Sequence, residues 1–168
     1  MVKNFSGYCL LEKIGVGAFA TVYKAASQSP ESAYGKIVAI KILNERVRGA
    51  AENKVIKQFE REANIAMQLI HENVVRVFNW GKFNGRYAMI TEYVDGKDLN
   101  AFIHSPEKYG FQTLVEIGYK IAKGLVYIHS HGIVHKDIKP ENILISNDLK
   151  TVKITDFGIA KVPRKWWQ

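Results

Sequence analysis

The sequence predicts an α+β fold, in which a five-stranded antiparallel sheet interrupted by one helix is followed by a mainly helical segment. Three observations point there. Short β-branched and aromatic runs alternate with Gly, Asn, Ser and Pro through the first half of the chain. One stretch among them has an apolar period near 3.6, and beyond Asp95-Gly96 the pattern becomes helical.

Strands are expected at 8–14, 21–25, 37–43, 74–80 and 87–93, each a run of high β-propensity bounded by turn residues. The helix between the third and fourth strands is expected at 55–70. There Val55, Ile56, Phe59, Ala63, Ala66, Met67 and Ile70 form the apolar stripe, and Glu60, Arg61 and Glu62 the charged face. In the second half, Leu114, Ile117, Ile121, Leu125 and Ile128 mark another amphipathic helix, which His131-Gly132 stops.

With 168 residues, 47% of them hydrophobic, the chain can bury a sizeable core. A net charge of +8 and a pI near 9.5 raise the question of nucleic acid. The basic residues are spread along the chain without an aromatic-interleaved basic motif, so no nucleic-acid partner is expected. Cys9 is the sole cysteine, which excludes an intrachain disulfide and a cysteine-built zinc site. No apolar run reaches membrane-spanning length, and the first residues lack a secretory leader pattern, so a cytoplasmic location is expected. Internal repeats and low-complexity tracts are absent from the sequence.

The chemistry concentrates in VHKDIKPENIL, residues 134–144. His135, Asp137, Lys139 and Asn142 place a polar anchor, a candidate base, a cation and an oxygen ligand within eight positions. At about 5% background usage per residue, six fixed letters there have a chance frequency on the order of 10⁻⁷ or rarer. GVGAFATV at 15–22 and VAIK at 38–41 stand upstream, and Asp156-Phe157-Gly158 follows. In this order the motifs resemble the eukaryotic-type serine/threonine protein kinase family, from about residue 10 to about residue 160.

That resemblance implies an N-terminal lobe over 1–94, with a glycine-rich loop and hinge, and a partial, mainly helical C-terminal lobe over 95–168. The family continues past D-F-G with an activation segment, an A-P-E motif and further helices. Residues 163–168, PRKWWQ, do not read as such a segment, so a chain cut short by a frameshift or early stop is expected. The face of the helix around residues 114–128 is then expected to be partly uncovered, and protein phosphorylation by the chain alone weak or absent.

The resemblance also implies ATP and Mg²⁺ as ligands and a protein with a Ser/Thr acceptor as substrate. Gly15, Val16, Gly17, Ala18, Phe19 and Ala20 would form the phosphate cradle, with Ala20 in place of the family's third glycine. Ile14, Val22, Ala39 and Leu144 would enclose the base, Thr91 would be a small gatekeeper, and backbone groups of Glu92 to Val94 would meet the adenine edge. Asp98 would touch the ribose, or would simply be a helix-start acid. Lys41, paired with Glu62, would take the α- and β-phosphates. Asp137 would be the base, Lys139 would reach the γ-phosphate, and Asn142 and Asp156 would hold Mg²⁺. Lys139 two places after Asp137 favours Ser/Thr over Tyr specificity. Lys136 stands where the family has Arg and lacks the bidentate fork that reads a phosphorylated loop.

A non-catalytic nucleotide-binding or interaction module is the alternative, separable because it would bind ATP without transferring phosphate. A small-molecule kinase of related fold is disfavoured, since such proteins generally lack the G-x-G loop, the Lys139 equivalent and an intact D-F-G.

Overall fold

In a computed structural model the described residues are 3–5, 7–29, 31–32, 34–44 and 50–158. The expectation for 163–168 lies outside them. Two compact units are present, one made of residues 1–67 and 76–93, the other of 68–75 and 94–168.

The first unit is an antiparallel sheet of β1 (Lys3–Phe5), β2 (Tyr8–Val16), β3 (Ala20–Ser27), β4 (Ile37–Leu43), β5 (Val77–Phe83) and β6 (Arg86–Glu92). Their spatial order is β1-β2-β3-β4-β6-β5, so the five expected strands are joined by one three-residue edge strand. Alternation in β4 sends Val38, Ile40 and Ile42 to one face, where they are buried with Phe5, Tyr8, Ala25, Ala88 and Ile90. Ala39 and Lys41 take the other. The sheet curls so far that Phe5 on one edge strand meets Phe83 on the opposite edge strand, ring centroids 6.2 Å apart.

Helix α1 (Ala50–Ala66) follows β4 and buries Phe59, Ala63 and Ala66. It begins before and ends before the expected 55–70. Its first turns carry polar residues and alanines rather than a stripe, and Leu69, though buried, lies beyond the helix and belongs to the second unit. The expected strand at 74–80 also shifts. Val74 and Val75 are buried elsewhere: the Val75 N–H donates to the Ile154 C=O at 2.8 Å and the Ile154 N–H to the Asn73 C=O at 2.9 Å.

The second unit contains β7 (Gly96–Asp98), α2 (Leu99–Ile103), α3 (Phe111–Ser130), a 3₁₀ turn (Pro140–Asn142), β8 (Ile143–Ser146) and β9 (Val152–Ile154). β7, β8 and β9 form an antiparallel sheet in that order. Helix α3 stops where the sequence places its end: Gly132 adopts φ +68°, its N–H donates to the His129 C=O, and the Ile133 N–H reaches the Ile128 C=O. Ile117, Gly124 and Ile128 are buried, whereas Leu114, expected on the same face, is 50% exposed beside exposed Phe111, Val115, Tyr119 and Val126. Among the described residues no helix is long and apolar enough to cross a membrane.

Candidate active site

In the first unit, Gly15 and Val16 end β2 and Ala20 starts β3. The turn between is closed by the Gly17 N–H donating to the Ala20 C=O at 2.8 Å. A Cβ on Gly17 would lie 3.3 Å from that oxygen, so the turn is tight enough to want glycine there. Ala20 fits its own place because it is already in the β3 ladder, paired with Leu43. Ile14, Val16 and Phe19 are exposed apolar residues around the turn.

Val22 pairs with Lys41, Ala39 with Thr91, and Lys41 with Met89, which aligns the sequence-predicted residues of three neighbouring strands. Lys41 Nζ donates to Glu62 Oε1 of α1 at 2.6 Å, and Glu62 is buried. Glu60, on the same helix, is exposed. Thr91 Oγ1 is 3.2 Å from the Glu92 C=O. The Glu92 N–H is already committed to the Arg76 C=O, and its carboxylate accepts the Arg76 N–H.

Asn44, just beyond β4, is a participant that sequence reasoning missed. Its backbone N–H donates to the Phe19 C=O at 2.8 Å, and its Nδ2 to the carbonyls of Gly17 and Ala18 at 3.2 and 3.4 Å. The only signal was a polar residue directly after an apolar strand.

In the second unit, His135 is buried and bridges two chain segments. Its Nδ1 accepts the Asp137 N–H at 3.3 Å, so the proton sits on Nε2, which donates to the Thr155 C=O at 3.0 Å. Burial holds the imidazole below its usual pKa and favours this neutral form, against the opposing pull of the Thr155 carbonyl and of Asp156 and Asp137. Phe157 packs on the ring, centroids 4.7 Å apart. The Thr155 N–H donates to the Asn142 C=O at 2.9 Å. Thr155 is therefore held by both backbone groups, which fixes the chain entering Asp156, whose φ is +66°.

Asp137 meets Lys139 Nζ at 3.1 Å and Asn142 Nδ2 at 3.0 Å through the same oxygen, Oδ2. The Lys139 hydrogen bond, helped by that of Asn142, holds the Asp137 carboxyl below the usual carboxylate range, and the same contact raises Lys139. Lys136, between His135 and Asp137, takes the left-handed conformation at φ +68°. Asp98 has the helix-start role, its Oδ1 accepting the Ala101 N–H at 2.7 Å, and its neighbour across the ladder is Leu144.

Residues 8–165 match the protein kinase domain family. The chain belongs to the protein kinase family.

Similar proteins include a probable serine/threonine-protein kinase of Clostridium acetobutylicum, 36% identical over 154 residues, which are 92% of this chain and 22% of that protein. A serine/threonine-protein kinase of Saccharomyces cerevisiae is 41% identical over 95% of this chain and 18% of its own length. One of Bacillus subtilis is 38% identical over 94% of this chain and 24% of its own length. The chain thus spans about a fifth of the length of these curated relatives. Within the kinase pattern, Ala20 and Lys136 are the departures, and both occupy well-defined backbone positions.

The donor chemistry fits the ligands the family implies. Asn142 has its Nδ2 committed to Asp137, which turns its amide oxygen away as a candidate ligand. One amide oxygen and the Asp156 carboxylate suit Mg²⁺, which keeps several waters and takes few protein groups.

Proposed function

We propose that the chain carries the ATP-dependent phosphoryl-transfer machinery of a serine/threonine protein kinase. The observation that supports this most is the Asp137 carboxylate held by Lys139 and Asn142 through one oxygen. A carboxylate kept ionised and fixed in this way can accept the hydrogen bond of an incoming Ser or Thr hydroxyl through Oδ1. Because its pKa is depressed, it orients the hydroxyl first and takes the proton late, as bond formation makes that oxygen acidic.

Lys139 offers its ammonium to the γ-phosphate while keeping the contact with Asp137. In the first unit, Glu62 fixes the Lys41 ammonium for the α- and β-phosphates, and the Gly15 to Ala20 turn is assigned to the same ligand through the backbone N–H groups at its tip, Ala18 and Phe19. Ile14, Val22, Ala39 and Leu144 are assigned to the base, Thr91 to the gatekeeper position, and the backbone of Glu92 to Val94 to the adenine edge. Asp98, one oxygen of which caps α2, is assigned to the ribose through the other. Asn142 and Asp156 would hold Mg²⁺, which when bound neutralises phosphate charge.

Transfer of label from γ-labelled ATP to casein tests the assignment. Transfer that Asp137→Asn abolishes while nucleotide affinity persists supports it. Nucleotide affinity without any transfer by the wild-type chain would support the non-catalytic module instead.

A further inference from the structure

The tip of the glycine-rich turn is held by one residue, through its backbone N–H and its side chain. Gly17, Ala18 and Phe19 turn three consecutive carbonyl oxygens toward Asn44, which supplies its backbone N–H to Phe19 and its Nδ2 to the other two. The amide is itself oriented. Thr21, buried in β3, donates its hydroxyl to Asn44 Oδ1 at 2.8 Å, which leaves Nδ2 to face the carbonyls. Among the described residues, no hydrogen bond takes the N–H of Ala18 or Phe19.

This arrangement sets the electrical polarity of the turn. A two- or three-residue tip can present either N–H or C=O groups to a ligand, and only the former attract phosphate. With the carbonyls gathered on Asn44, the open groups at the tip are donors. We propose that Asn44 is a positioning residue for nucleotide phosphates: it holds the carbonyls of the glycine-rich turn inward so that the Ala18 and Phe19 amides are presented to the phosphate chain. Thr21 is the strut that keeps the Asn44 amide in register. The proposal rests on the kinase reading for the identity of the ligand, while the clamp itself stands on the geometry alone.

The chemistry separates Asn44 from its near-isostere. Asp at this position would still accept from Thr21 but would set an anionic oxygen against the Gly17 and Ala18 carbonyls and release the tip. Valine at 21 keeps the β-branched shape of β3 while removing the hydroxyl that orients the amide.

Nitrogen relaxation of the Ala18 and Phe19 amides, measured without ligand on the 168-residue chain and on Asn44→Ala, Asn44→Asp and Thr21→Val, tests the clamp. Affinity for Mg·ATP and for adenosine, measured on the same four proteins, tests its purpose. The expected result is ordered amides in the wild type that become mobile in both Asn44 variants, with Mg·ATP weakened about tenfold and adenosine unchanged. Thr21→Val, the mildest change, should move both readouts in the same direction and covers the case in which an Asn44 variant fails to fold. Amides equally ordered in wild type and variants would overturn the proposal, as would equal weakening of Mg·ATP and adenosine, which would make Asn44 a general strut. A wild-type chain that binds neither ligand would remove the phosphate role with the kinase reading, while the relaxation data would still decide the clamp.

Discussion

Asn142 holds Asp137 at two points, its Nδ2 donating to the Asp137 backbone C=O at 2.8 Å and to carboxylate Oδ2 at 3.0 Å. The two bonds fix both the chain and the side chain of the candidate base. Lys139 takes the same carboxylate oxygen, so Oδ1 remains the side of the group open to a hydroxyl.

Asp137→Asn removes the charge while keeping the shape. Phosphoryl transfer should fall by about 10²–10⁴, the range for loss of general acid–base assistance. Lys139 loses its carboxylate partner but keeps its place next to the 3₁₀ turn, so nucleotide affinity should persist. Transfer at wild-type rate would remove Asp137 from the chemistry.

The Lys41–Glu62 pair should show as coupling. Glu62 is buried, so Lys41→Met removes the ammonium that offsets its charge, and adding Glu62→Gln should recover part of the loss. A urea double-mutant cycle should give a coupling of about 1–3 kcal/mol. Strictly additive losses would show that the 2.6 Å contact contributes little.

Much of this site is legible in the sequence because fixed periods place its residues. A strand period of two separates Lys41 from the apolar Ile40 and Ile42, and the helical period separates Glu62 from Glu60, so periodicity and the kinase motifs together single out Glu62 as the partner of Lys41. The five main strands are legible for the same reason. What escapes is short or borrowed. β7 and α2 have three and five residues, too few to show a period. Val74 and Val75 look like strand residues, but the Val74 N–H donates to the nearby His71 C=O and the Val75 N–H to the Ile154 C=O, far along the chain. Asn44 shows no pattern at all, because its role depends on a turn more than twenty residues earlier.

Three glycines of the second unit should respond differently to alanine. At Gly96 a Cβ would lie 1.9 Å from the Ile145 backbone oxygen, so Gly96→Ala should cost about 3 kcal/mol or more. At Gly124 it would meet the Asn73 C=O at 2.8 Å and Ile154 Cδ1 at 2.9 Å. A clash cost of about 1–3 kcal/mol outweighs the gain in helix propensity of about 1 kcal/mol. Gly118, on the same helix with open space around it, should instead stabilise by about 1 kcal/mol as alanine. Urea unfolding midpoints check the order Gly118→Ala above wild type above Gly124→Ala above Gly96→Ala.

Acid should weaken the fold through His135. Its folded pKa lies below the unfolded value of about 6.5, so its contribution is complete above that pH and is lost as pH falls toward the folded pKa. Throughout that window the unfolded chain binds a proton that the native chain does not. His71, also lowered by burial, adds in the same direction. Unfolding midpoints at pH 7.5 and 5.5 should therefore fall less in His135→Gln than in the wild type, and an identical fall would contradict this role of the His135 bridge.

The most direct test of the nucleotide machinery is thermal unfolding of the 168-residue chain with and without Mg·ATP, with Lys41→Met as control. At about 100 times its Kd the ligand should stabilise the chain by roughly 2.7 kcal/mol. A cooperative transition that Mg·ATP raises in the wild type and leaves unmoved in Lys41→Met is the predicted result. A wild-type transition indifferent to Mg·ATP, or one raised equally in both proteins, would contradict it.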